Sequence, residues 1–429
     1  MSAETTQQIS VIGLGVAEVA MLDGAAINAL QEADLVIGSE RQLLTVNAYL
    51  QNTNTAILPK LVQLKALIET QQKVVVLGSG DPLYYGIGTW ISQQFNEACI
   101  HFYPAVSSIT QACHCLGIAQ QNVTVLSLHG RPLAKLNVAL KAQQTLLLLT
   151  DKHSQPQHIA SVCQQTGFTQ AQLIVCERLG YQDQKISRFT LSELINSTQT
   201  FDALHVTFVV CGDNRGYLPQ FPGIKDADFE TGELGSKGMI SKREVRLAIL
   251  SLLQPSQNDV IWDIGAGCGG VAVELAYWQP HASVYAIEHN QARFDCLLQN
   301  QQKFGVVSHL KPTFGRAPEI LSTLPRANKI FIGGSDGELP QLLNLLWGSL
   351  PDNGQIVVSA VMEKTKSQLL SFYHARLAAD DSELETLQIA VNKSRSLAGQ
   401  LAYQPALPVS LFSFIKQSTP QFNKGNSGE

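Results

Sequence analysis

The residues best suited to chemistry lie at 260–270, where an apolar segment leads into an acid and then into a run of glycines. Asp263 is followed by glycines at 265, 267, 269 and 270, and residues 271–278 have a helical pattern. Glycine lets a backbone turn sharply and approach a ligand closely, because it has no Cβ. The start of the following helix offers unpaired N–H groups and a positive dipole end to a carboxylate or phosphate. The pattern predicts a nucleotide-type binding loop between a strand and a helix.

A second acid follows the next predicted strand, residues 282–287. This acid, Glu288, comes about twenty residues after the loop, at the distance where a ribose hydroxyl pair is usually bound. The glycines at 265, 267 and 270 also satisfy the dinucleotide pattern G-x-G-x-x-G, which is a weak signal on its own. Asp263 would repel a pyrophosphate, whereas it would attract the cationic amine of S-adenosylmethionine. We therefore favour S-adenosylmethionine, with a nicotinamide or flavin nucleotide as the alternative.

Size and composition limit the class of protein. A chain of 429 residues predicts two or three domains, and 45% hydrophobic with 15% charged residues is ordinary for an enzyme with buried sheets. The net charge of −5, without a basic run, argues against nucleic-acid binding. The sequence has no apolar stretch long enough for a membrane span and no secretion signal at its start. Its eight cysteines are scattered, which predicts reduced thiols and a cytoplasmic location.

Five cysteine and histidine residues are possible metal ligands. Cys99 and His101 precede a helical stretch that contains Cys113, His114 and Cys115. Three consecutive residues of a helix point in different directions, so they do not converge on one tetrahedral ion. We predict that the chain binds no metal.

Strand-like and helix-like segments alternate along the chain, which predicts parallel sheets with helices on their faces. In the first half, the predicted strands are residues 9–15, 35–38, 74–78, 146–150, 173–177 and 204–211. After the apolar strand that leads into Asp263 and the strand at 282–287, the later predicted strands are residues 329–333, 354–360, 387–391 and 409–414. The predicted domains are residues 1–212 and 237–416, joined by a linker at 213–236 and followed by a disordered tail at 417–429.

The most specific motif of the first half is residues 78–88, which read G-S-G-D-P-L-Y-Y-G-I-G. It follows an apolar strand, and Pro82 suits the first turn of a helix. The motif resembles the signature of the tetrapyrrole (corrin and porphyrin) methylase family, in particular its precorrin C5-methylating branch. Residues 104–110, 126–131 and 176–180 agree with that family in order and spacing. The resemblance implies a two-lobed α/β fold with S-adenosylmethionine in the cleft between the lobes.

By this resemblance, five residues would line the N-terminal cofactor pocket: Gly80, Asp81, Leu83, Ser107 and Ser108. His129, with Leu128 and Gly130, would border the pocket or the substrate trough, although a loop histidine is also ordinary as a surface residue. The family usually has G-x-G-P-G in its first loop, whereas residues 13–17 here read G-L-G-V-A.

The second half resembles the decarboxylating precorrin methylases, which have a Rossmann-like class I methyltransferase fold. The resemblance rests on residues 238–246 (G-M-I-S-K-R-E-V-R), 315–319 (G-R-A-P-E) and 331–338 (F-I-G-G-S-D-G-E). Besides Asp263, it implies these cofactor-binding residues: Ser241, Gly265, Ala266, Gly267, Cys268, Gly269, Glu288 and Ala317. Arg316 stands where the family often has an acid that meets the adenine amine.

Substrate-side candidates follow from the same resemblance. Gly334, Ser335 and Asp336 come after the predicted fourth strand, and ligands of open α/β sheets bind at the carboxyl ends of strands. Arg395, within residues 393–396, suits a substrate carboxylate through bidentate pairing, with a solvated surface turn as the alternative. No residue stands out as a catalytic acid or base.

Together the halves resemble fused methyltransferases of cobalamin biosynthesis that act on a precorrin. The resemblance implies methylation of ring carbon 5 by the first half. It assigns methylation of carbon 15, and decarboxylation of the carbon-12 acetate, to the second half. It also implies one S-adenosylmethionine per domain and a homo-oligomer. Two alternatives remain open, namely a corrinoid-binding protein with one inactive half and a two-domain NAD-dependent dehydrogenase.

Overall fold

The computed structural model describes residues 7–51, 53–95, 98–232 and 239–417. Lys237, Gly238, the end of the predicted linker (233–236) and the predicted tail beyond Gln417 lie outside the described residues. The chain forms two compact units. Unit 1 comprises Met1–Leu133 and Ala139–Gly216, and unit 2 comprises Ala134–Val138 and Tyr217–Glu429. The division at Gly216 falls inside the segment predicted as a linker.

The helices are short to medium in length and connect the strands. They are α1 (Gly24–Gln31), α2 (Glu40–Val46), α3 (Leu61–Ile68), α4 (Gly88–Gln94), α5 (Ser108–Leu116), α6 (Leu136–Ala139), α7 (Pro156–Gln165), α8 (Leu191–Ile195), α9 (Arg243–Leu253), α10 (Gly270–Trp278), α11 (Gln291–Lys303), α12 (Leu339–Ser349) and α13 (Glu363–Ala379). Among the described residues, no helix has the length and apolar character needed to cross a membrane.

Unit 1 begins with a parallel five-stranded sheet. Its strands are β1 (Gln8–Gly13), β2 (Leu35–Gly38), β3 (Thr55–Ile57), β4 (Lys73–Gly78) and β5 (Cys99–Tyr103), in the order β3-β2-β4-β1-β5. On β4, Val74 and Val76 belong to one core cluster, whereas Val75 and Leu77 belong to another. Both faces of the sheet are therefore covered, as in other parallel sheets.

The second sheet of unit 1 corrects the prediction of parallel sheets throughout. Its strands are β6 (Val123–Ser127), β7 (Thr145–Leu149), β8 (Gln172–Glu177), β9 (Lys185–Thr190) and β10 (His205–Val210), in the order β6-β7-β10-β8-β9. Only β6 and β7 pair in parallel. Residues 178–184 join β8 to β9 without a helix, and this connection is too short for the crossover that a parallel pair needs.

Unit 2 contains a seven-stranded sheet. Its strands are β11 (Val260–Ile264), β12 (Ser283–Glu288), β13 (Leu310–Phe314), β14 (Lys329–Ile332), β15 (Gln355–Ala360), β16 (Ser382–Ile389) and β19 (Val409–Lys416). The order is β13-β12-β11-β14-β15-β19-β16, and β19 pairs antiparallel with both of its neighbours, β15 and β16. The five parallel strands follow the doubly wound order, so their carboxyl ends form one ligand-binding edge. The predicted α/β fold class is confirmed.

Two details of unit 2 differ from the sequence-based expectation. Strand β16 begins at Ser382 and ends at Ile389, whereas a strand was predicted at 387–391. Residues 393–396 form part of a strand and not a turn. They lie in an exposed hairpin made of β17 (Asn392–Leu397) and β18 (Gln400–Pro405).

Candidate cofactor sites

The glycine loop of unit 2 connects β11 to α10 in a conformation that requires glycine. Gly265, Gly267 and Gly269 have φ values of +71°, +58° and +86°. A Cβ on Gly267 would lie 2.0 Å from the carbonyl oxygen of Met239. The N–H of Cys268 donates to that same carbonyl at 3.0 Å. The loop is thus packed tightly against the segment that precedes α9.

A cavity of about 400 Å³ opens at this edge of the sheet. Ten of the residues predicted to bind cofactor or substrate line it. They are Ser241, Asp263, Gly265, Ala266, Gly267, Glu288, Ala317, Gly334, Ser335 and Asp336. Three other predicted residues, Cys268, Gly269 and Arg395, lie outside the lining. Cys268 is buried, Gly269 caps α10, and Arg395 lies in the exposed hairpin.

Asp263 provides a buried negative group at the base of this cavity. Its side chain is only 1% exposed, and Oδ2 accepts a hydrogen bond from the N–H of Ala272 at 3.0 Å. Oδ1 has no partner among the described residues. Burial raises the pKa of Asp263 to about 7, and the charge of Glu288 adds to the shift. A buried acceptor without a partner fits a cationic group such as the amine of S-adenosylmethionine.

Glu288 braces the glycine loop as well as facing the cavity. Its Oε2 accepts the N–H of Gly267 at 2.9 Å. Its Oε1 accepts the N–H groups of His289 and Asn290 at 2.9 and 2.8 Å. A carboxylate has about four acceptor positions, so these contacts leave room for one ribose hydroxyl.

Two side-chain contacts, one histidine–carboxylate and one arginine–carboxylate, connect the loops after β12 and β13 to the loop after β14. Nε2 of His289 lies 3.3 Å from Oδ2 of Asp336, and Nη2 of Arg316 lies 3.2 Å from Oε1 of Glu338. Strand β11 lies between β12 and β14, so these pairs join loops on either side of the glycine loop. Arg316, which departs from the family pattern, thus has a carboxylate partner, Glu338, at the start of α12.

A buried charge network holds the segment before α9, and it was not predicted from the sequence. The Arg246 side chain is 0% exposed, with Asp226 at 2.7 Å and Glu274 at 3.0 Å. Arg246 also donates to the backbone carbonyl of Ser241, a cavity residue. Glu274 was the available signal, because one acid interrupts the otherwise apolar helix α10.

Unit 1 has its own cavity, of about 590 Å³, at the ends of strands from both of its sheets. Five of the residues predicted for this half line it: Gly80, Asp81, Ser107, Ser108 and His129. Leu83 does not line the cavity and is 51% exposed.

The loop at 13–17, which departs from the family pattern, packs beside Gly80. The N–H of Gly80 donates to the carbonyl of Gly15 at 3.3 Å, and both glycines line the cavity. A Cβ on Gly13 would lie 2.6 Å from the carbonyl oxygen of Gly80. Gly180 packs against the carbonyl of Val16 so closely that a Cβ would overlap it.

Asp81 stabilises the turn that follows Gly80. Its Oδ1 accepts the N–H groups of Leu83 and Tyr84 at 2.8 and 3.1 Å. The turn delays the next helix, so α4 begins at Gly88 and not at Pro82. The expectation that Pro82 opens a helix is therefore wrong.

Two further side chains fix segments of unit 1 that line the same cavity. Ser107 is buried and caps α5, where its Oγ accepts the N–H of Thr110 at 3.0 Å. Asp151 fixes the His129 loop by accepting the N–H of Gly130 at 2.7 Å. This hydrogen bond is the main reason that the pKa of Asp151 falls to about 2, and His129 adds a smaller favourable charge interaction.

The cysteine-rich segment does not form a ligand cluster. Cys113, His114 and Cys115 lie on α5, where Cys113 is buried and Cys115 is exposed. Within the described ranges, no group of three histidine, cysteine or acidic side chains could hold a metal ion. All eight cysteines are free thiols.

Comparison with known proteins finds a family match for each half. Residues 8–195 match the Tetrapyrrole (Corrin/Porphyrin) Methylases, and residues 234–416 match the Precorrin methyltransferase domain. A precorrin-6Y C(5,15)-methyltransferase [decarboxylating] from Sinorhizobium sp. is 30% identical over 411 residues, which are 95% of this chain and 96% of the relative. The enzyme of that name from Mycobacterium tuberculosis is 28% identical, covering 95% of this chain and all of the relative.

A shorter relative matches part of the chain. The probable cobalt-precorrin-6B C(15)-methyltransferase (decarboxylating) of Saccharolobus solfataricus is 32% identical over 152 residues. The match covers 35% of this chain and 75% of that relative.

Proposed function

The chain belongs to the precorrin-6Y C5,15-methyltransferase (decarboxylating) family, and on that premise we propose that each unit holds one S-adenosylmethionine site. The protein is an S-adenosylmethionine-dependent precorrin methyltransferase that also decarboxylates its substrate, in cobalamin biosynthesis. The proposal goes further in assigning carbon 5 to unit 1. Unit 2 takes carbon 15 and the carbon-12 acetate.

The division of labour is supported by the shorter relative. Its name joins C15 methylation and decarboxylation in one protein, and the Precorrin methyltransferase domain matches residues 234–416. The Tetrapyrrole Methylases match ends at residue 195, within unit 1. Each unit contains a cavity built on glycine turns at strand ends. The predicted boundaries, residues 1–212 and 237–416, are part of the same proposal.

The unpartnered Oδ1 of Asp263 is the observation that carries the unit 2 site. It lies buried beside the glycine loop, where the amine of the cofactor would complete its hydrogen bonding. Glu288 would bind the ribose, and the backbone at Gly265, Ala266 and Ala317 would enclose the nucleoside. Ser241 closes the cavity from the segment before α9.

In unit 1, the residues that would hold the cofactor are Gly80, Asp81, Ser107 and Ser108. Gly80 adopts a φ of +68° and has no Cβ, so the cofactor can approach the backbone closely at this position. Ser107 and Ser108 place the first turn of α5 at the cavity, and that turn favours a negatively charged group.

When bound, S-adenosylmethionine supplies an electrophilic methyl group on a sulfonium. The substrate ring carbons are enamine-like and already nucleophilic, so the protein mainly aligns the reactants and excludes water. In unit 2, Gly334, Ser335 and Asp336 would position the macrocycle at the end of β14. The conjugated ring is itself the electron sink for decarboxylation, so we name no catalytic base.

Calorimetric titration with S-adenosylmethionine tests the proposal. We expect two sites per chain, and one site in the Asp263→Ala variant. A single site in the unaltered chain would indicate a silent half, and tight NAD binding would overturn the assignment. A cytoplasmic location, a homo-oligomeric state and the absence of nucleic-acid partners remain predictions from the sequence.

A further inference from the structure

The unit 1 cavity is lined by three arginines that come from different parts of the fold. Arg41 lies at the start of α2, Arg131 follows β6, and Arg178 follows β8. Among the described lining residues, Asp81 is the one acid, and its Oδ1 already accepts two backbone N–H groups. The cavity therefore has an excess of positive charge, although the whole chain carries −5.

The three guanidinium groups differ in their partners. Arg178 is compensated by Asp183 at 2.6 Å and Asp202 at 3.6 Å. Arg41 contacts neutral oxygens, namely Oγ of Ser79 at 3.0 Å and the hydroxyl of Tyr181 at 3.3 Å.

Arg131 contacts the backbone carbonyl of Ser127 at 3.4 Å. Within the part of the chain that the structure describes, neither Arg41 nor Arg131 forms an ion pair. Two charged, five-donor groups at a cavity wall without carboxylate partners fit an anionic ligand.

The unit 2 cavity provides an internal comparison. Its lining has Lys242, Arg293 and Arg316 as cations, and three acids balance them: Asp263, Glu288 and Asp336. An excess of positive charge is therefore a property of the unit 1 cavity and not of both cofactor sites.

We infer that Arg41 and Arg131 bind carboxylate side chains of the tetrapyrrole in unit 1 and so select its substrate. This inference rests on the proposed function, because a precorrin carries acetate and propionate groups around its ring. The planar guanidinium forks match carboxylates, and two such contacts from separate parts of the fold would fix the rotation of the ring. Tyr84 and Tyr85 line the same cavity and offer aromatic surface to the macrocycle, with ring centroids 5.3 Å apart.

Steady-state kinetics of the intact chain tests this assignment. The reaction is followed as transfer of a labelled methyl to carbon 5 of precorrin-6Y, in Arg41→Gln, Arg131→Gln and the corresponding lysine variants. We expect each glutamine variant to raise the KM for the tetrapyrrole by about ten-fold, with a much smaller change in kcat. The lysine variants should reverse part of this rise in KM, because lysine restores the positive charge but not the planar guanidinium group. Arg188→Gln, on β9 and outside the cavity lining, is the matched control and should behave as the unaltered enzyme.

Two further measurements separate substrate binding from damage to the fold. S-adenosylmethionine affinity and the melting temperature should stay unchanged in the glutamine variants, and the salt dependence of KM should weaken. An unchanged KM in both variants, or an equal rise in Arg188→Gln, would overturn the assignment. An unaltered chain that never methylates carbon 5 would instead contradict the proposed function itself.

Discussion

The N–H of Gly267 donates a hydrogen bond to Oε2 of Glu288 at 2.9 Å, joining the glycine loop to the end of the neighbouring strand. The acid expected to bind the ribose therefore also maintains the loop that encloses the cofactor. Because one buried carboxylate serves both purposes, the shape of the cavity depends on it.

Replacing Glu288 should damage both the cofactor site and the fold. Glu288→Ala leaves three N–H groups without their acceptor, so we expect S-adenosylmethionine binding in unit 2 to be lost. The free energy of unfolding should fall by about 2 kcal/mol or more. Calorimetry and urea unfolding measure the two effects.

Glu363→Ala is a suitable control for that experiment. It removes an exposed carboxylate that pairs with Lys366, and it should cost less than about 0.5 kcal/mol. A Glu288→Ala protein with normal stability and two cofactor sites would contradict the role given to this residue.

Cofactor binding to unit 2 should strengthen as the pH rises from about 6 to 8. Burial raises the pKa of Asp263 to about 7, so much of the residue is protonated and neutral in the lower part of this range. The cationic amine binds the ionised form, and binding therefore releases a proton. Calorimetry in two buffers with different ionisation enthalpies measures that proton directly.

The stability of the unliganded protein should change in the opposite direction. An acid whose folded pKa is raised binds more protons in the folded state, so its contribution to stability falls as pH rises from about 4 to about 7. Asp263→Asn should remove this dependence of stability on pH and the release of a proton on cofactor binding. Cofactor binding at the unit 1 site then remains as the background signal. A Kd for unit 2 that does not vary with pH would rule out this role of Asp263.

Arg246 should be critical for stability, because its removal leaves Glu274 buried without a cationic partner. We expect Arg246→Met to lower the free energy of unfolding by about 3–5 kcal/mol. The double variant with Glu274→Gln should lose less than the sum of the single changes. Cofactor affinity in unit 2 should also fall, since Arg246 holds the backbone of Ser241.

The exposed pair of Arg243 and Glu244 gives the matched comparison. Arg243→Met should cost less than about 1 kcal/mol, because an exposed ion pair contributes little. Equal losses from Arg243→Met and Arg246→Met would mean that the buried network has no special role.

The sequence predicted central strands better than edge strands. Strands such as β4 and β14 are mostly apolar because both faces of each strand are covered, and each was expected close to its true bounds. Strands β3, β5, β6, β9 and β13 were not predicted, and all five lie at sheet edges. An edge strand in these sheets is partly exposed, so its residues lack the apolar pattern that marks a strand.

The site residues that are close together in the sequence were predicted, whereas groups of residues from distant parts of the chain were not. Asp263, the glycine loop and Glu288 are close in sequence and lie together in one cavity, as their spacing indicated. Arg41 and Arg131 were not predicted as a pair, because ninety residues of chain separate them and only the fold of unit 1 brings them to one cavity. The Arg246 network was missed for the same reason, since Asp226 and Glu274 lie on either side of it in the chain.

Mass spectrometry of the product formed from precorrin-6Y by Asp263→Ala, in the intact chain, tests the division of labour most directly. The unaltered enzyme should add two methyl groups and release carbon dioxide. The Asp263→Ala variant should add one methyl group, at carbon 5, without loss of carbon dioxide. The complementary Gly80→Val variant, which would bring a Cβ 3.2 Å from Cα of Ser107 at a φ of +68°, should lose the carbon 5 methyl. Release of carbon dioxide by Asp263→Ala, or its addition of both methyl groups, would contradict the assignment of carbon 15 and decarboxylation to unit 2.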